Sequence, residues 1–199
     1  MGYQLVLRKL PADLGHDVFT KTLCLEDVLV STVFGALAYG PPEMFAAWRR
    51  RFTTMRPLSP GVRLEFWPTH HLGKQRDAPD AFVLDVPRRQ ALIVEAKRGR
   101  MPKTDDLTEQ LLKEGLAARA TYKGVRLHLL VVSDLETKPA AFDEVRRLRP
   151  RLYSSPMQHR TWAELSGFLR GWMSRRECDA GHRRMIEDAL AVMAKYGRE

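Results

Sequence analysis

The sequence predicts an α/β protein, a mixed sheet covered on both faces by helices, and three observations carry that expectation. Residues 80–86 and 91–97 are short, nearly unbroken apolar runs separated by "PRRQ", the pattern of two buried strands joined by a tight hairpin. Residues 104–122 then carry apolar side chains at helical spacing and lead into "VRLHLLVV", a further buried strand, so a helix crosses between strands. Additional segments of helical spacing lie before and after this core, enough to cover two sheet faces.

Taken in order, residues 3–8 read as a first strand. Residues 25–39 read as an amphipathic helix stopped by "GPP", which cannot continue it, and residues 43–52 as a second helix. "VRLEFWP" reads as a strand and "THHLGKQRDAP" as a polar loop before the hairpin. The helix at 104–122 opens with Thr104, Asp105 and Asp106, residues suited to a helix N-terminus. Residues 139–148 read as a helix, "QHRTWAEL" as a short strand running into a helix that reaches residue 173, and residues 179–196 as a last helix. A single domain over residues 1–199 accommodates all of this, with a core at about 17–135 and a helical extension at about 139–199.

Composition narrows the class. Hydrophobic residues make up 44% and charged residues 29%, as expected of a folded globular chain. Lys and Arg number 33 against 24 Asp and Glu, a net charge of +9 weighted toward arginine, which points to a polyanionic partner once a site is found to go with it. Cys24 and Cys178 stand far apart in no metal-binding spacing, which fits a reducing cytoplasm. No run of 18 uncharged apolar residues suggests a membrane span, and the first residues do not read as a signal peptide.

The strand at 91–97 poses the functional question, because an apolar run ends in Glu95, Ala96 and Lys97. Alternation places Ile93, Glu95 and Lys97 on one face and Leu92, Val94 and Ala96 on the other. With "PRRQ" as the loop, Val86 pairs with Ala91, Phe82 lies opposite Glu95, and Asp80 lies opposite Lys97. Asp80, Glu95 and Lys97 then gather at one spot. On the first helix Glu26 falls in line with Val30, Val33 and Leu37, so an acid begins the buried stripe, although a solvated acid at a helix start accounts for it equally well. Converging carboxylates make a hard oxygen site suited to Mg²⁺ or Mn²⁺, and a neighbouring lysine can position water or neutralise charge on a phosphate. The competing account is a cross-strand ion pair between Asp80 and Lys97 with Glu95 solvated.

Pro79-Asp80, a hairpin's spacing, then Glu95-Ala96-Lys97 resembles the PD-(D/E)XK signature of the restriction-endonuclease-like nucleases, and the helix, three strands, helix, strand order from Glu26 to Val132 is similar to their αβββαβ core. The resemblance implies that Asp80 and Glu95 hold Mg²⁺ or Mn²⁺, helped by the main-chain carbonyl of Ala96, and that Lys97 serves the attacking water. It also implies a role for Glu26 as the first-helix acid. Gln110 resembles a glutamine found beside the site in several branches, although Glu114 stands where those branches have tyrosine. Lys74, Arg76 and Arg98 are the expected nucleic-acid contacts around the motif.

The expected activity is metal-dependent phosphodiester hydrolysis, with DNA favoured over RNA and endonucleolytic cutting favoured, in phage or mobile-element defence or in DNA processing. A helicase or ATPase partner and a homodimer are compatible with it. The alternatives are a non-catalytic nucleic-acid-binding or assembly subunit that keeps the fold, and a junction resolvase preferring branched DNA.

Other residues read more simply. His70 and His71 read as loop residues or phosphate contacts in preference to metal ligands. Trp162, Leu165, Phe168, Leu169 and Trp172, at helical spacing, are core or a subunit contact. Arginines at 49–51, 146–151, 175–176 and 183–184 supply diffuse, salt-dependent phosphate attraction.

Overall fold

A computed structural model describes residues 25–62, 64–66, 70–72, 75–77, 79–98 and 102–195. The strand expected at residues 3–8 lies outside them. Helices α1 (Leu25–Ala38) and α2 (Pro42–Phe52) come first, then strands β1 (Leu64–Phe66), β2 (His70–Leu72), β3 (Gln75–Asp77), β4 (Ala81–Asp85) and β5 (Gln90–Ala96). Helix α3 (Thr104–Thr121), β6 (Arg126–Ser133), α4 (Ala141–Leu148), β7 (Gln158–Thr161), α5 (Trp162–Met173) and α6 (Ala180–Lys195) complete the chain.

The protein is α/β. Five strands form a mixed sheet in the order β1-β4-β5-β6-β7, antiparallel from β1 to β5 and parallel from β5 to β7. Each parallel step needs a crossover, supplied by α3 between β5 and β6 and by α4 between β6 and β7. β5 is buried along its whole length because it has a strand on each side and helices on each face, which is why its sequence is apolar without alternation.

Alternation divides the core in two. Ala81, Val83, Leu92, Val94, Ala96, Leu130 and Val132 face α1, α2, α5 and α6, while Phe82, Ala91, Ile93, Leu127, Leu129 and Val131 face α3 and α4. The Trp162, Leu165, Phe168, Leu169 and Trp172 stripe is core, with the Phe168 and Trp172 rings stacked at 6.3 Å. A capping box starts α5: the Thr161 hydroxyl accepts from the Glu164 N–H and the Glu164 carboxylate accepts from the Thr161 N–H.

Three expectations need correction. Helix α1 is not amphipathic in its setting, since Leu29, Val30, Ser31, Val33, Phe34, Ala36 and Leu37 are all buried: α6 packs over the side that would otherwise meet water. His182 of α6 bonds through Nε2 to the Ala36 carbonyl oxygen, and a Cβ at Gly40 would lie 2.2 Å from that nitrogen, so glycine makes the approach possible. The loop expected at 69–79 contains a small antiparallel ladder, β2 with β3, in which His70 pairs with Asp77. Arg49 is buried instead of joining the surface charge, its guanidinium donating to the Met55 carbonyl, while Arg50 and Arg51 stay exposed.

No helix among the described residues is long and apolar enough to cross a membrane.

Candidate active site

The β4–β5 hairpin positions the site, and its register differs from the expected one. Asp85 pairs with Gln90, Phe82 with Ile93 and Ala81 with Val94, so the turn is Val86–Arg89 and not "PRRQ". Gln90 reads as a turn residue by polarity, yet it is buried in the strand because its amide is fully used. Its Nε2 donates to Asp85 Oδ2 at 3.1 Å and to the Arg56 carbonyl at 3.2 Å, and its Oε1 accepts from the Arg56 N–H at 3.1 Å. Arg89 closes the turn with a left-handed φ of 49°. The slip is two residues, an even number, so every side chain keeps its expected face.

The ladder ends at Ala81 and Val94, and Asp80 sits in a bend just before β4. It therefore does not stand opposite Lys97 in the ladder. Its Oδ2 accepts the Ala96 N–H at 2.7 Å, tying the motif's first acid to the end of β5. The backbone around Lys97 is pinned on both sides: its N–H donates to the Val132 carbonyl at 2.7 Å, and its carbonyl accepts from Trp162 Nε1 at 3.0 Å.

Glu95 occupies the α3 face of β5 and is only 1% exposed. Its Oε1 accepts from Lys97 Nζ and, at 2.6 Å, from Gln110 Nε2. Gln110 Nε2 also donates at 2.9 Å to Glu114 Oε1, so one amide nitrogen holds two carboxylates. Glu114 is 2% exposed. The Oε2 atoms of Glu95 and Glu114 are both buried with no hydrogen-bond partner. Such an atom costs about 1–3 kcal/mol unless a proton shared between the two carboxyls, or a group outside the chain, satisfies it.

The electrostatics follow from this burial. Desolvation first, then the Glu114 carboxylate, pushes the Glu95 carboxyl well above the usual range, with the Lys97 ammonium opposing. Burial also raises Glu114 to about 7, and the Asp80 charge pushes it the same way. Tyr153 packs beside them, its hydroxyl donating to the Leu111 carbonyl at 2.7 Å. Its ionisation is driven up by burial and then by Glu114 and Glu95. A Cβ on Gly115 would lie 2.9 Å from the Tyr153 hydroxyl oxygen, so that glycine gives Tyr153 its place.

These residues fit a hard divalent cation in the chemistry of their donors: two orphaned carboxylate oxygens, and Asp80 close enough to be felt by Glu114. Among the described residues, no group of three or more His, Cys, Asp or Glu side chains is placed so that it could hold a metal ion. Mg²⁺ does not require one, since it commonly takes one or two carboxylates and keeps waters or substrate oxygens for the rest.

Of the sequence-derived residues, the structure brings together Asp80, Glu95, Ala96, Lys97 and Gln110, with half-buried Arg98 next along the chain. Glu26 lies in the first turn of α1, but its side chain is outside the described residues, as are the side chains of Lys74 and Arg76. Glu114, noted in the sequence only as a departure from a pattern, is the acid the reading missed. Its signal was present in the buried α3 stripe of Leu107, Leu111, Glu114 and Ala118. No protein-family model, curated protein sequence or solved structure matches this chain.

Proposed function

We propose that the chain is a Mg²⁺- or Mn²⁺-dependent nuclease with a restriction-endonuclease-like fold, hydrolysing nucleic-acid phosphodiester bonds, DNA above all. The observation that carries this reading is Glu95: a buried carboxylate at the end of a central strand, held by Lys97 and Gln110 through one oxygen, with the other oxygen unpartnered. Asp80 bound to the Ala96 N–H beside it, and the +9 charge, support the reading.

In this proposal Glu95 and Asp80 would hold the cation together with the Ala96 carbonyl, and the motif resemblance adds Glu26 to the set. A bound divalent cation supplies Lewis-acid polarisation of the phosphate and a lowered water pKa. Gln110 fixes the Glu95 rotamer so that Oε2 stays directed away from Lys97. The Lys97 ammonium orients the incoming water and neutralises charge growing on the phosphate oxygens. Water adds to phosphorus, the bond to the departing sugar oxygen breaks, and a phosphate monoester and a hydroxyl are left. Lys74, Arg76 and Arg98 are assigned the nucleic-acid contacts that the motif resemblance implies.

A second reading is a nucleic-acid-binding or assembly subunit without catalysis. It is favoured by the closure of Lys97, Gln110, Glu95 and Glu114 into one internal network.

Cleavage of single-stranded, duplex and branched DNA and of RNA, in Mg²⁺ or Mn²⁺, separates the two when wild type is compared with Lys97→Ala. Chelator-sensitive cutting lost in a folded variant supports the nuclease, and preference for branched DNA identifies a resolvase. Nucleic-acid binding without cutting or Mn²⁺ uptake favours the subunit.

A further inference from the structure

The opposite end of β5 carries a second concentration of charge. Arg88 and Arg89 in the β4–β5 turn, with Arg126 at the start of β6, line a shallow open pocket of about 330 Å³ around Gly124. Their backbones are fixed. The Arg89 N–H donates to the Val86 carbonyl at 3.0 Å, and the Arg126 N–H donates to the Arg89 carbonyl at 2.9 Å. The Arg126 guanidinium reaches the Arg88 carbonyl at 3.5 Å. Gly124, at a φ of 74°, leaves the Arg89 guanidinium its place, since a Cβ there would lie 2.2 Å from Nη2.

These cations gather without compensation. None of the three forms an ion pair among the described residues. The nearby carboxylate, Asp85, is spent on the N–H groups of Ser59 and Arg88 and on Gln90. The crowding is felt by neighbours: Arg88 and Arg50 add to burial in lowering Arg49, and Arg126 adds to burial in lowering His128. Holding like charges together costs free energy that an external anion relieves.

We infer that this pocket binds phosphate groups of a nucleic-acid backbone, as an anchor separate from the acidic site. The two ends of β5 are about 20 Å apart at strand rise, so the anchor takes phosphates remote from the scissile one. Guanidinium forks suit phosphate oxygens, and three of them on fixed backbone can take more than one. The pocket is open and lined by arginines and a glycine, with no apolar wall to bury a base, which favours a polymer lying across it over a free nucleotide. The inference rests on the nucleic-acid part of the proposed function and not on its metal chemistry.

The test is fluorescence anisotropy of a labelled 20-base-pair duplex with the full chain in EDTA across a salt series. It compares wild type, Arg88→Gln/Arg126→Gln, Arg88→Gln/Arg89→Asn (asparagine tolerates the left-handed turn) and the distant pair Arg183→Gln/Arg184→Gln. Both pocket variants are expected to bind about tenfold or more weakly, with the slope of log K against log salt reduced by about two, and the distant pair to lose less. Equal losses from all three pairs, or unchanged slopes in the pocket variants, would overturn the anchor and leave the nuclease reading standing. Wild type that binds neither duplex nor single strands nor RNA sinks the nucleic-acid reading itself. ATP binding that needs the pocket arginines and is not displaced by duplex would overturn the backbone assignment in favour of a free nucleotide.

Discussion

The two ends of β5 treat charge in opposite ways. At the Ala96 end, two carboxyl groups are buried against α3 and share one amide nitrogen, so acids are brought together out of reach of solvent and their ionisation is opposed. At the Gln90 end, guanidiniums of exposed Arg88 and Arg89 and half-buried Arg126 crowd a turn where water is available. Buried like charge shifts protonation, whereas exposed like charge recruits counterions. The proposed function and the proposed anchor assign these opposite treatments to a small cation at the acidic end and a polyanion at the basic end.

The largest expected effect comes from breaking the acidic end. Asp80→Ala and Lys97→Ala should each lower cleavage about 100-fold or more while leaving the circular dichroism spectrum unchanged, and chelation should do the same to wild type. Cleavage equal to wild type in either variant would remove that residue from the site.

The pH dependence of stability distinguishes the ends next, because their linkages have opposite sign. Glu114 is raised from 4.5 to about 7 in the folded chain, so the native state binds the extra proton and stability is lost as pH rises from 4.5 through 7. His128 is 7% exposed, with Nδ1 near the Thr54 and Ser155 hydroxyls, and is lowered from 6.5 to about 4 by burial first and Arg126 second. There the unfolded state binds the extra proton, so stability is full above 6.5 and lost as pH falls toward 4. Each contributes at most about 3 kcal/mol, and in wild type they partly cancel. In chelator, Glu114→Gln should raise the melting temperature at pH 8 more than at pH 5. Arg126→Gln should shift the His128 titration upward by NMR; an unmoved titration would show that Arg126 is not felt there.

Smaller effects come from the backbone supports. Gly124→Ala places a Cβ at left-handed φ and against Arg89, and should cost about 1–2 kcal/mol in urea titration while weakening duplex binding. Thr161→Ala removes the cap that starts α5, whose Trp162 holds the Lys97 carbonyl, and should cost about 1 kcal/mol. A loss of cleavage exceeding that stability loss would show that the Trp162 contact positions Lys97.

Local pattern made much of this readable. The element order came from apolar spacing, and the shared face of Ile93, Glu95 and Lys97 from strand alternation, which survived a two-residue error in register because faces repeat every two residues. The error itself arose at Gln90, whose polarity marks a turn until Asp85 and the Arg56 backbone are seen to satisfy it. Glu114 is not legible as a buried acid because acids on helices are usually solvated, and only the packing of α3 on the Ile93 face of the sheet buries this one. Arg88 and Arg89 are neighbours in the sequence, but the third arginine of the pocket, Arg126, joins them only through the parallel pairing that sets Gln90 beside it.

By itself, the sequence determined the strands of the five-stranded sheet, the helices and the shared face of the motif's side chains, since side-chain periodicity and hydrophobic burial act within a few residues. Tertiary structure alone decided which charges meet. Sheet register and helix docking join residues far apart in the chain, and an electrostatic interaction depends on the distance in space that they set.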